Sequence, residues 1–197
     1  MNRLIKLCEG LSPNKIWFTS DTHFCHKNIL EYCQRPFANV EEMNNEIISR
    51  WNQVVRNDDI VFHLGDFCLG NPNKWHAILD RLKGKIYLIL GNHDAEYINE
   101  SVMQRFEDIS YQLLLNVNGQ KIYLNHYPFL SYSGETNSTW QLFGHIHSNQ
   151  HNCRIIDEQR ISLLRPNQYD VGVDNNNFFP VSYRQIEDII NRRRKGL

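Results

Sequence analysis

Apolar residues along this chain recur with two different periods, and the alternation between them sketches the fold. Lys15–Ser20, Asp59–Leu64 and Lys85–Leu90 are short apolar runs, each closed by polar residues, and read as buried strands. Between them the period changes. In Asn39–Arg56, Val40, Met43, Ile47, Ile48, Trp51 and Val55 return at three- and four-residue steps, which predicts a helix. Pro72–Leu82 predicts a second helix, with Pro72 and Asn73 at its start and Gly84 beyond its end. Strand–helix–strand–helix–strand implies parallel pairing and an α/β class.

The middle of the chain changes character. Ser110–Val117 and Gln120–Asn125 flank Asn118–Gly119, a strong hairpin signal. Short strands are predicted around Gln141–Phe143, Arg154–Ile156 and Tyr169–Val173, and a C-terminal helix over Ser182–Arg194. The first half should therefore hold parallel βαβ units, and the second should be richer in antiparallel strands. Two facing sheets with helices outside accommodate both. With no repeat, low-complexity tract or long linker, one domain spanning residues 1–197 is expected.

Composition narrows the function. Apolar residues make up 41% and charged residues 22%, average for a globular protein, and the net charge is −1. No global basic field advertises nucleic acid as a partner. No stretch approaches the roughly 18 apolar residues that span a bilayer, and Met1–Trp17 lacks a signal-peptide core. The five cysteines (Cys8, Cys25, Cys33, Cys68 and Cys153) form no CxxC pair, which predicts buried reduced thiols and a cytoplasmic setting.

Each of the first three strands ends in a compact polar cluster. Asp21-Thr22-His23 follows the first, Gly65-Asp66 the second, and Gly91-Asn92-His93-Asp94 the third. Ligand sites in open α/β sheets gather at the carboxyl ends of strands, so these clusters converge on one sheet edge. His126 stands just past Gln120–Asn125, and Gly144-His145-Ile146-His147 closes the strand near Gln141–Phe143. Residues two apart in extended chain point to the same side, which lets Asp21 with His23, and His145 with His147, serve one site. The glycines before Asp66, Asn92 and His145 suit tight turns near a metal cluster. Imidazole and carboxylate together suit transition metals. The two carboxylates cancel only half the charge of two dications, so a phosphate and its transition state would be attracted. Two metals about 3.5–4 Å apart can generate a hydroxide and neutralise phosphoryl oxygens together.

The order DxH, GD, GNHD, H, GHxH, carried by Asp21/His23, Gly65/Asp66, Gly91–Asp94, His126 and Gly144–His147, resembles the calcineurin-like metallophosphoesterase superfamily. The resemblance implies a four-layer α/β/β/α sandwich with two mixed sheets and a dimetal site at the carboxyl ends of strands. It implies that Asp21, His23 and His147 hold one divalent transition metal, that Asn92, His126 and His145 hold a second, and that Asp66 bridges them. Manganese is the first expectation, with iron, nickel or zinc as alternatives. His93 would serve as general acid or as a donor to a phosphoryl oxygen, with a metal-bridging hydroxide as nucleophile. Two departures stand out. Many relatives extend the second motif to GDxxD, where this chain has Leu69, and many have glycine after the lone histidine, where it has Tyr127-Pro128.

Around this set, Asp94 is expected to support a ligand rather than be one. His63, inside the second strand, is expected to be a satisfied core histidine, and His76 and His151 ordinary surface or packing residues. His26 either faces substrate or stabilises the first loop. Arg35 is the basic residue chosen to touch a phosphate, against the alternative of a solvated loop arginine. Tyr127, Phe129 and Trp140 either stack on a base or aromatic leaving group or pack in the core. Arg192–Lys195 suits the end of a helix. The expected activity is hydrolysis of a small phosphomonoester or phosphodiester. The rivals are a non-catalytic metal-bearing scaffold for protein partners and a nucleotide pyrophosphohydrolase or nuclease.

Overall fold

The computed structural model describes residues 12–136, 138–148 and 158–196. Strand β1 (Ile16–Thr19) leads into a short helix α1 (Ile29–Tyr32) and the long helix α2 (Val40–Val54). Then follow β2 (Ile60–His63), α3 (Pro72–Leu79), β3 (Lys85–Ile89), α4 (Glu100–Met103) and β4 (Asp108–Ser110). The second half runs β5 (Gln112–Val117), β6 (Gln120–Asn125), β7 (Trp140–Phe143), α5 (Glu158–Ser162), β8 (Gln168–Asp170), β9 (Val181–Ser182) and α6 (Tyr183–Arg194). The strand expected at Arg154–Ile156, His151, Cys8 and Cys153 lie outside the described residues.

The strands form two mixed sheets, ordered β4-β3-β2-β1-β9 and β5-β6-β7-β8. In the first sheet β1 to β4 are parallel and β9 alone is antiparallel. In the second, the Asn118–Gly119 hairpin pairs β5 with β6 antiparallel, but β6, β7 and β8 are parallel. Both antiparallel pairs thus involve second-half strands, as expected, but β6, β7 and β8 are joined by long returns that permit parallel crossovers, which short hairpin turns do not. The run expected as one strand over Ser110–Val117 is two. It breaks at Tyr111, where the chain leaves one sheet for the other.

Alternation along the strands builds two cores. Ile16, Phe18, Ile60, Phe62 and Tyr87 of the first sheet meet Leu113, Leu115, Ile122, Leu124, Trp140 and Leu142 of the second. The opposite face of the first sheet (Val61, Ile86 and Leu88) is covered by α2 and α3 through Met43, Ile47, Trp51, Trp75 and Ile78. Helix α2 starts where Asn39 accepts the Glu42 amide at 2.9 Å, and α6 where Ser182 and Gln185 form a capping box. Ile186 and Ile190 of α6 join the core between the sheets. Cys33 and Cys68 are buried and Cys25 half-buried, each as a reduced cysteine. The residues before and after the metal-motif loops thus sit on rigid strands, and β1, β2, β3, β6, β7 and β8 each end at a candidate loop.

His63 is the core histidine expected from its place in β2. Its Nε2 lies 3.0 Å from Thr22 Oγ1, whose hydroxyl donates to the Phe67 carbonyl at 2.8 Å. Its Nδ1 accepts the Gly65 amide at 3.3 Å. The ring is therefore a neutral Nε2–H tautomer. Burial pushes it down to about 3, from an ordinary value near 6.5. A depressed folded value means the stabilisation is whole above pH 6.5 and is lost as pH falls toward 3. From this group alone the slope is about 1.4 kcal/mol per pH unit. Urea unfolding in chelator should show His63→Gln less stable than the parent at pH 7.5, with the gap shrinking by pH 4.5. A gap independent of pH would remove His63 from the acid sensitivity.

Candidate metal centre

Six strand ends aim loops at one space, and the backbone there is unusual. Asp21, His23, Asp66, His145 and His147 all have positive φ, between 45° and 71°. Left-handed backbone at a non-glycine residue costs about 1–3 kcal/mol and persists only where the surroundings dictate it. Parallel-strand hydrogen bonding continues into the loops: the Asp21 amide donates to the Gly65 carbonyl at 3.0 Å and the His23 amide to the Asp66 carbonyl at 2.9 Å. The geometry corrects the sequence reading in one respect. Asp21 with His23, and His145 with His147, share a site through paired left-handed turns, not through extended alternation.

Glycine is required at these turns by closeness as well as by shape. A Cβ on Gly144 would overlap Ser20 Oγ and Asp21 Oδ2, and one on Gly91 would overlap Asp66 Oδ1. The carboxylates are thus seated directly on neighbouring backbone.

The structure brings the seven predicted ligand side chains together in two adjoining groups. Ligand atoms of Asp21, His23 and His147 lie within 4.8 Å of one another, as do those of Asp66, His126 and His145. Asp66 joins the groups: its Oδ2 is 3.6 Å from His23 Nε2 and 3.5 Å from His126 Nε2. Its Oδ1 accepts the His93 amide at 3.0 Å. Asn92 Oδ1 stands 3.1 Å from His126 Nε2.

The donor set fits cations. His126 Nδ1–H donates to the Leu64 carbonyl at 2.7 Å, which leaves Nε2 with its lone pair facing Asn92 Oδ1 and Asp66 Oδ2. Three acceptors turned on one another repel unless positive charge lies among them. Burial pushes His23 well below its ordinary value and His145 down to about 4, so both rings are neutral at pH 7 with lone pairs to give. Burial raises the Asp21 carboxyl to about 6, against the pull of His147 and His126.

Beneath the ligands lies a support that the sequence showed only in part. Asp94 is fully buried and accepts the amides of Gly91, Asp66 and Phe67, each at 2.8 Å, so it clamps two loops together as expected. Asp174 was not anticipated. It lies just past β8, outside any recognisable motif, and accepts from His147 Nδ1 at 2.7 Å. Burial acts to raise its carboxyl, but Arg35 and His147 outweigh that and hold it down to about 2. Burial likewise opposes protonation of His147, but Asp174, the Cys33 thiol and Asp21 keep it well above its ordinary value.

Arg35 is placed differently from the expectation that it touches a phosphate. It is buried, and all five of its N–H donors are engaged. Nε and Nη2 donate to Asp174 at 2.8 Å each, and Nη2 also to the Asp21 carbonyl at 2.6 Å. Nη1 donates to the Thr22 carbonyl at 2.9 Å and to Met43 Sδ. No donor is left for a ligand. His26 is half-buried, with Nδ1 3.3 Å from His23 Nδ1, so it at least props the first loop. His93 is half-buried on the same flank, its ring centroid 5.6 Å from that of His23.

Since Arg35 and Asp174 are both buried, removing one charge strands the other. Asp174→Leu should lower unfolding stability by about 3–5 kcal/mol in chelator, and Arg35→Met/Asp174→Leu together by less. Urea denaturation of these two variants and of Arg35→Met alone would check this, and additive losses would refute the coupling.

Comparison with known proteins follows the same residues. The model for the calcineurin-like phosphoesterase family matches residues 14–176, which takes in every loop from Asp21 to Asp174. An uncharacterized protein of Methanocaldococcus jannaschii is 39% identical over 184 residues, covering 92% of this chain and 94% of the relative. The gene 66 protein of Mycobacterium phage L5 is 30% identical over 201 residues, covering 89% and 93%. Among solved structures, a protein of unknown function from Aquifex aeolicus superposes with a TM-score of 0.65 at 26% identity, covering 88% of this chain and 98% of that one. With the family model matching residues 14–176 and nearly the whole length of the Methanocaldococcus relative covered at 39% identity, the chain belongs to the calcineurin-like phosphoesterase family.

Proposed function

We propose that this chain is a single-domain hydrolase of small phosphate esters, working with two divalent transition metals, manganese foremost. The observation that carries the reading is the placement of Asp66 Oδ2 between the His23 and His126 imidazoles, where two groups of candidate ligands adjoin. Asp21, His23 and His147 would hold one cation and Asn92, His126 and His145 the other, with Asp66 shared. When bound, such a pair supplies an acidified water as nucleophile and positive charge for the phosphoryl oxygens.

The chain's own residues do the rest. Asp174 and the Leu64 carbonyl fix the tautomers of His147 and His126, so each presents Nε2 to its cation. The His93 amide holds Asp66 Oδ1, leaving Oδ2 as the shared atom. The His93 side chain, on the flank of His23, would give a proton to the departing oxygen. Among the described residues no helix is long and apolar enough to cross a membrane.

Asp66→Asn or Asn92→Ala should abolish turnover of an aryl phosphate ester in excess manganese, and unchanged turnover would sink the mechanism. His93→Asn should bind manganese as the parent does while kcat for an alkyl ester drops by roughly 10²–10⁴. A scaffold would instead show no turnover with any metal, and His93 would not matter. Because metal-free His147 holds a proton well above its ordinary value, loading must expel it. Manganese affinity should rise from pH 6 to pH 8, and titration in buffers of different ionisation enthalpy should reveal net proton release at pH 7.

A further inference from the structure

The loop after β6 carries an aromatic side chain whose place at the centre the hydrolytic reading leaves unused. Of the three aromatics singled out in the sequence, Trp140 is 3% exposed and packs on Tyr183, and Phe129 packs on Tyr123 and Tyr132. Tyr127 is 45% exposed. Its ring centroid is 4.7 Å from that of His145 and 5.0 Å from that of His126, steeply inclined to both. An aromatic ring with almost half its surface open to water therefore stands against two of the seven candidate ligands.

The backbone holds the ring in place. The Tyr127 amide donates to Asn125 Oδ1 at 2.8 Å, and its carbonyl accepts from Gln141 Nε2 at 2.9 Å. Gln141 is fully buried, and its Oε1 is taken by the Phe129 amide and by Gln168 Nε2. Pro128 stiffens the next position. Rigid, amphipathic aromatic area beside a site binds a flat partner at low entropic cost. Asn125 Oδ1 accepts the Tyr127 amide and its Nδ2 donates to the Tyr111 carbonyl, so this side chain is tied to the backbone beneath the ring. The ring itself offers a face to be stacked upon.

We propose that Tyr127 is the specificity-determining residue of the site, and that it selects phosphate esters of nucleosides by stacking on the base with little regard to which base it is. The phosphate would be held by the cations that the residues around Asp66 bind, and the sugar would span the step from there to the ring beside His145. The proposal rests on the phosphoester reading above. Stacking on an exposed ring tolerates every base, because each has a π-face.

The test is calorimetric binding of adenosine 5′-monophosphate and of ribose 5-phosphate to the manganese-loaded protein. The parent should bind the nucleotide roughly ten- to a hundredfold more tightly than the sugar phosphate. Uridine 5′-monophosphate should fall nearer to the adenosine compound than to the sugar phosphate. Tyr127→Leu, which keeps apolar bulk without a π-face, and Tyr127→Ala should bring the ratio close to one. Tyr127→Trp should keep or widen it. Normal ribose 5-phosphate binding with no preference for the nucleotide in the parent, or a preference that survives in both Tyr127→Leu and Tyr127→Ala, overturns the role of Tyr127 alone. Failure of both compounds to bind the loaded parent overturns the phosphoester reading, and this one with it.

Discussion

Arg35 and Asp174 are separated by 139 positions in the chain, yet their buried ion pair is what ties the two sheets together at the site. The guanidinium grips the carbonyls of Asp21 and Thr22, at the end of the first strand of one sheet. Through Asp174 it reaches His147, at the end of a strand of the other. Burying such a pair is justified only when every donor and lone pair is used, and here every donor is. The same contacts hold Asp21 in its left-handed turn and set the tautomer of His147. The seating of Asp21 and the protonation of His147 thus both draw on this one interaction.

The opposite side of the site is organised by a second buried carboxylate without a cationic partner. Asp94 satisfies itself with three backbone amides from the loops that carry Asp66 and Asn92. Amide dipoles are fixed, so the clamp is rigid, but they carry no full charge, and burial leaves Asp94 up at about 6. The two devices leave a centre rich in strained backbone and facing acceptors. Strain of that kind is sustained by a well-packed surround, and two apolar cores flank the strands from which these loops spring. Cations entering the centre would relieve the acceptor repulsion, so metal binding and stability should be strongly coupled here.

Such a centre fits what the family match implies, metal-dependent chemistry on phosphate esters. The wall of the centre departs from what the sequence led one to expect. Where arginine was expected to meet phosphate, the structure uses it as internal support, and the ring of Tyr127 stands at the rim instead. Recognition would then come from area beside the metals more than from a guanidinium clamp.

Much of this was determined by sequence alone. Short apolar runs located β1 to β3, recurrence at three- and four-residue steps located α2, and Asn118–Gly119 located the hairpin, because burial and turn chemistry leave local patterns. The seven side chains that the structure gathers were also legible, since chemistry at strand ends demands particular residue types beside glycine. Only the tertiary structure decided the rest. Whether β6, β7 and β8 pair parallel depends on long connections whose path no local pattern encodes. Asp174 carries no motif, and Arg35 looks like any loop arginine, because an ion pair across 139 residues has no local signature. The left-handed turns were hidden too, since Asp and His tolerate that backbone without announcing it, and neighbours in space impose it.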